Sequence, residues 1–269
     1  MHEKKIGTLA KFAGVTSHTI KYYEKEGFFS SIRDSHSNYR FYDLNSCTYL
    51  HECIKYRNLG FSVKELNTLC KIANSDTIND MLLKHMDDID LVIEELLTKK
   101  QMTQSYYKEL RYLDANLNDW FICNFPPHYF LAQTKQLEYL DDYQMEKNNV
   151  NLIDYLPYAK SCVCLPKETM EGSSNMFYWG QIIEKKYFPE ELLEKRPDLQ
   201  TIGGEKQKAF VAYLSICTKN YTSDGELVRR IHQIYKNFSS DYHGDAYAIR
   251  IKIAYEPKET HYFKVFIPI

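Results

Sequence analysis

Two groups of residues in this 269-residue chain are of types and spacings that could do chemistry. The first is Ser17, His18, Lys21 and Tyr22, on the outward side of a short helical pattern whose apolar side is Ile20 and Tyr23. Hydroxyls, an imidazole, an ammonium and a phenol within two turns suit the phosphates and base edges of a major groove. Thr16 just before them, and Tyr39, Arg40 and Arg57 further on, extend the set, mostly as phosphate clamps. The second group is aromatic. Tyr178 and Trp179 adjoin on one predicted strand, and Tyr213, Tyr221, Tyr247, Tyr255 and Tyr262 follow. Flat rings with polar tips suit a planar organic ligand.

Other chemistries find less support. Cys162 and Cys164 place two thiols on one face of a predicted strand and Cys123 is nearby in sequence, but no Cys-x-x-Cys pair or Cys/His cluster has the spacing of a zinc site. The cysteines read as buried core, and no metal or cofactor is expected. Glu184 is the obvious candidate base for hydrolysis, yet no nucleophile with a partnered histidine accompanies it, and His232 and His243 are isolated. No catalytic residue is assigned. A Gly-rich phosphate loop is also missing.

The elements that must position these residues are legible from periodicity. Ile6, Leu9, Ala10 and Ala13 mark one helix, Gly14 ends it, and Thr16 caps the next, which makes a helix-turn-helix. Asn38 to Tyr42 alternates aromatics around Arg40 after a polar Ser30 to Ser37 segment, the pattern of a hairpin wing. Asp43 can cap a third helix to about Leu59, and Ser62-x-x-Glu65 is a capping box for a fourth. From Asp76 to about Asp119 there is neither proline nor glycine, and Leu82, Met86, Ile89, Ile93 and Leu96 alternate four and three apart as in a coiled-coil seam. The register weakens at Lys100 and Thr103 and recovers at Tyr107, Leu110 and Leu117. Past Pro126-Pro127 the sequence turns to short alternating runs. Strands are predicted at 129–134, 162–165, 177–184, 210–216, 247–255 and 262–267, and helices at 152–160 and 226–238. The order is β-α-β-β twice, which predicts one antiparallel sheet with both helices on one face and a concave opposite face.

Charge separates the same regions. Residues 1–75 hold 11 Lys and Arg against 7 Asp and Glu, net +4; with totals of 34 and 36, the rest carries 23 and 29, net −6. The basic end is the nucleic-acid end. Seven cysteines, an odd number, fit a reducing cytosol better than a secreted disulfide framework, and no apolar run approaches the roughly 20 residues that span a bilayer.

The runs Thr19-Ile-Lys-Tyr-Tyr-Glu-Lys-Glu-Gly27, Asn38-Tyr-Arg-Phe-Tyr42 and Arg57-Asn-Leu-Gly-Phe-Ser62, in that order, resemble the winged helix-turn-helix domain of the mercury-resistance regulator (MerR) family. The family usually has arginine where Lys21 stands, and lysine lacks the planar fork. The pattern from Ala209 to Ile269 resembles the gyrase-inhibitor-like effector-binding domain of the family's multidrug-sensing branch. The resemblance implies a multi-domain α and α+β protein: a winged helix-turn-helix over 1–75, a long antiparallel coiled-coil dimerisation helix over 76–120, and a duplicated β-α-β-β effector-binding domain over 121–269. It also implies a cytoplasmic homodimer that binds double-stranded promoter DNA and, with a small organic effector bound, distorts an overlong spacer so that RNA polymerase can engage both elements. A ligand-independent repressor, a domain that has lost its pocket and a hydrolase stand as alternatives. The strand Tyr247 to Ile253 corresponds to one that supplies an acidic residue to cationic drugs in the multidrug sensors. Here that position is Ala248, with Arg250 on the same face and Tyr247, Ile249 and Ile251 expected against the helices. The ligand residues implied are Tyr178, Trp179, Ile182, Ile216, Tyr221, Ala248, Arg250 and Phe263, with a preference for neutral or anionic planar compounds.

Overall fold

The computed structural model describes residues 4–34, 39–140, 150–239 and 241–269. The chain forms two compact units, one ending at Leu96 and the other running from Leu97 to Ile269.

In the first unit the order is β1 (Lys4–Lys5), α1 (Ile6–Ala13), α2 (Ser17–Lys25), β2 (Ile32–Arg33), β3 (Arg40–Tyr42), α3 (Leu44–Asn58), α4 (Val63–Leu69) and the first half of α5 (Ser75–Ala115). Gly14 makes the turn between α1 and α2 at φ +68°, where a side chain would be strained, and its N–H returns to the Ala10 carbonyl. Thr16 then caps α2, its Oγ1 accepting the Thr19 N–H at 3.1 Å. Asp43 does the same for α3, and Ser62 with Glu65 closes both bonds of a capping box on α4. Leu9, Ile20, Tyr23, Leu50, Cys53, Phe61 and Leu66 interlock beneath these helices. β3 pairs with β2 on one side and β1 on the other, so the wing is anchored to the start of the chain. The tip of the expected wing, Ser35 to Asn38, lies outside the described residues.

α5 is a single helix of 41 residues. In its first half Met86, Ile89, Ile93 and Leu96 are exposed, between 41% and 59%, so the stripe read as a seam is uncovered in the single chain. Its second half has a different role. Leu113 is fully buried, and Tyr106, Leu110 and Leu117 pack beside it against the sheet of the second unit. The register expected to recover at Tyr107 belongs to Tyr106 instead, and Tyr107 is 62% exposed.

That sheet is built from β4 (Trp120–Asn124), β5 (His128–Lys135), β6 (Glu138–Tyr139), β7 (Lys160–Leu165), β8 (Tyr178–Glu184), β9 (Gln200–Ile202), β10 (Lys208–Ile216), β11 (Ala246–Ala254) and β12 (Thr260–Pro268), with α6 (Lys167–Met170) and α7 (Glu226–Tyr235) in the connections. Strand order is β4-β10-β12-β11-β7-β8-β5-β6, with β9 added to β5 and every named pairing antiparallel. The six predicted strands overlap β5, β7, β8, β10, β11 and β12. β5 and β8 approach so closely at Gly180 that a Cβ there would lie 1.8 Å from the Leu131 carbonyl oxygen.

The helix expected over 152–160 is a single 3-10 turn, Leu152–Tyr155. Pro157 has no N–H to give and forces Leu156 out of the helical region, to ψ 141°, so the turn cannot continue. The faces also differ from expectation. α7 packs on the side carrying Ala248, Phe263, Val265, Phe210 and Leu214. Tyr247, Ile249 and Ile251 point to the other side, which the second half of α5 partly covers. Strand alternation alone defines two sets of residues without saying which set meets which helix.

Candidate nucleic-acid interface and ligand cleft

α2 presents His18, Lys21 and Tyr22 to solvent, with Ser17 half-buried, while Ile20 and Tyr23 are held in the core. Beside it, Tyr39 of the wing is 61% exposed, with the Lys5 ammonium 5.2 Å from its ring centre. Arg40 is less free than a phosphate clamp would be. Its Nε lies 3.2 Å from Glu24 Oε2, and the same carboxylate accepts hydrogen bonds from Tyr42 OH at 3.1 Å and from Ser31 Oγ. Glu24 thus ties α2 to both sides of the wing. Burial alone would raise its pKa, but Ser31, Tyr42 and Arg40 outweigh it and hold the carboxyl below the usual 4.5. Burial and the Glu24 charge push the Tyr42 hydroxyl up to about 12, so it stays a donor. Arg57, at the end of α3, donates from Nη1 to the Phe61 carbonyl. Thr16 serves first as the cap of α2.

The eight ligand candidates divide between the two faces of the sheet. Ile216, Tyr221, Ala248 and Phe263 are buried in the core under α7, and Trp179 packs against the same core with its indole N–H donated to Ser161 Oγ at 2.9 Å. The Arg250 charge lies close enough to Tyr221 to oppose the effect of burial on its hydroxyl, and the Tyr221 ring meets Phe263 edge-on at 5.1 Å. Tyr178 and Ile182 belong to the opposite face, where Ile182 borders a cavity.

That opposite face holds a cleft the sequence reading did not find. Two adjoining cavities of about 50 and 170 Å³ share Glu109, Tyr158, Lys160 and Glu184. The smaller is floored by Ile182, Ile249, Ile251, Lys264 and Phe266; the larger runs out past Met102, Ser105, Tyr106 and Tyr187. Lys160 is paired with Glu109 of α5, and Lys186 lies 2.6 Å from Glu184. The rings of Tyr158 and Tyr187 stack at 4.0 Å with an 11° tilt. His128 is buried; its Nδ1 sits 2.6 Å from the Pro126 carbonyl, which can only accept, so that nitrogen carries the proton. Burial pushes its basicity down, keeping the ring neutral near pH 7. Lys264 is half-buried among these groups and burial lowers its ammonium below the usual 10.5. A lysine inside the otherwise apolar run Tyr262-Phe263-Lys264-Val265-Phe266 is the available signal; it pairs across the sheet with Ile249, on the face expected from the sequence against the helices.

The thiols do not assemble into a site. Cys162 and Cys164 do share a face, buried beside Tyr247, and burial pushes Cys162 well up and Cys164 to about 12. Among the described residues no group of three or more His, Cys, Asp or Glu could hold a metal ion, and no helix is long and apolar enough to cross a membrane.

The "MerR HTH family regulatory protein" profile matches residues 4–71. An HTH-type transcriptional regulator, the ZntR homolog of Haemophilus influenzae, is 34% identical over 97 residues, which is 34% of this chain and 72% of that protein. Nodulation protein NolA of Bradyrhizobium elkanii is 32% identical over 89 residues, and the match spans 33% of this chain and only 40% of that protein. Among solved structures, the EcmrR–DNA complex in EcmrR-RPo aligns over 98% of this chain and 99% of that one, at 15% identity and a TM-score of 0.35. The matched stretch contains α2 and the wing that Glu24 joins to it, and the chain belongs to the MerR family of helix-turn-helix transcriptional regulators.

Proposed function

We propose that the chain is a homodimeric, ligand-responsive activator of the MerR family, reading promoter DNA through α2 and the β2–β3 wing and sensing a small organic effector in the cleft beneath α5. One observation carries this reading: a single helix bears the uncovered Met86–Leu96 stripe and, further on, roofs the cleft with Tyr106 and Glu109. An apolar stripe of this length is left wet unless a second copy covers it. A ligand entering the cleft touches the same helix, so effector and dimer geometry share one element, as a promoter-distorting switch requires. RNA polymerase is then the partner that profits from the distorted spacer. Glu184 is paired with Lys186, and no catalytic role is assigned to it.

Selecting bound sites from random duplexes tests the reading. An inverted repeat protected by two chains is the expected result. Recovery of isolated half-sites bound by single chains would refute the dimer. Unchanged promoter output whichever small molecule is supplied would favour a ligand-independent repressor.

A further inference from the structure

The fixed charges of the cleft do not cancel. Glu109 is matched by Lys160 and Glu184 by Lys186, whereas Lys264 has no carboxylate at ion-pair distance among the described residues. Its ammonium rests over ring faces instead, 4.6 Å from the centre of Phe266 and 5.9 Å from that of Tyr213. Ring faces attract a cation more weakly than a counter-ion does, so a half-buried ammonium there favours an incoming negative charge. The surroundings limit that charge to one. Glu109 and Glu184 flank the cavity, and a dianion would meet both after neutralising a single lysine. The apolar part of the inner cavity comes from Ile182, Ile249, Ile251 and Phe266. The outer cavity, about 170 Å³, is close to the ~150 Å³ that admits a benzene ring.

Accepting the cleft as the effector site, we infer that its ligand is a small aromatic monocarboxylate, with the carboxylate reaching Lys264 in the inner cavity and the ring in the outer cavity beside Met102 and Tyr106. Tyr158 and Tyr187, already stacked at the outer cavity, offer a further flat surface to a ligand that extends beyond one ring. A cationic ligand of the same shape would lose on both counts, because the two carboxylates are already paired and Lys264 repels it.

The full-length protein titrated calorimetrically with benzoate, benzyl alcohol and benzylamine tests this, since the three share a ring and differ in charge. Benzoate should bind at least tenfold tighter than the alcohol, and the amine weakest. Lys264→Met should cost benzoate tenfold or more while leaving the alcohol within about threefold; Lys264→Arg should retain most benzoate affinity. If Lys264→Met does not fold, Glu184→Gln serves instead, and removing a like charge should tighten benzoate. Benzylamine binding as well as benzoate, or benzoate indifferent to both substitutions, overturns the charge assignment and leaves the cleft standing as a site. No binding by any of the three overturns the inference and the cleft reading together.

Discussion

Glu24 is the residue on which the surface proposed to read DNA turns, because one half-buried carboxylate gathers Ser31, Arg40 and Tyr42 and so fixes the wing against α2. A carboxyl whose pKa is lower folded than unfolded stabilises the fold above its unfolded pKa, and that contribution is lost as pH falls through the folded pKa. Glu24 is such a group, so the first unit should lose stability below about pH 4.5, and Glu24→Gln should flatten that part of the pH dependence. Thermal melts between pH 3 and 7 on both proteins check it; identical curves would separate Glu24 from acid sensitivity. The same network revises what Arg40 does. As a phosphate clamp, its loss lowers the slope of log K against log salt by about one unit. As a tether, Arg40→Ala and Glu24→Ala weaken DNA binding alike, and the double variant is no worse than either. The geometry favours the tether. Lys21→Ala, on an exposed position of α2, should give the one-unit salt effect that Arg40→Ala does not.

At the scale of elements, α5 is where sequence and structure are hardest to reconcile. A run without proline or glycine was enough to foresee one long helix, and the 4-3 spacing was enough to foresee an apolar stripe. What covers a stripe is not written in its spacing. Ile89 and Ile93 are left exposed, whereas Leu113 has the sheet of the second unit above it, yet both stretches read as one seam. The β-strands were legible because alternation is local, and the caps Thr16, Asp43 and Ser62 because a cap is a single residue beside its helix. The cleft was not, since it needed the face of β11 and β12 to be known, and alternation is silent on that. Two variants now separate the halves of α5. Ile89→Lys with Ile93→Lys should give monomers by light scattering with an unchanged melt of the second unit. Leu113→Ala should keep the dimer but destabilise the second unit by about 2–5 kcal/mol, the range for a fully buried leucine emptied to a cavity. A dimer surviving the double lysine change would place the contact elsewhere.

For the molecule as a whole, the question is how a ligand in the cleft could be felt at DNA. Tyr106 donates to the Ile251 carbonyl at 3.1 Å and Glu109 pairs with Lys160, so the second half of α5 is fixed to the walls that a ligand would touch. The first half carries the stripe assigned to the partner chain, and nothing but helix lies between them. If the helix is the coupling element, breaking it should leave both binding events and remove only their mutual effect. Lys100→Pro does this: proline deletes one helical hydrogen bond and clashes with the carbonyl of Leu96, at about 3 kcal/mol, a cost that a 41-residue helix anchored at both halves can absorb. Coupling is reciprocal, so in the wild type the factor by which benzoate changes DNA affinity must equal the factor by which DNA changes benzoate affinity. In Lys100→Pro both factors should fall to one, with benzoate affinity in the absence of DNA unchanged. A variant that still couples the two sites would move the communication off α5 and onto contacts between the chains.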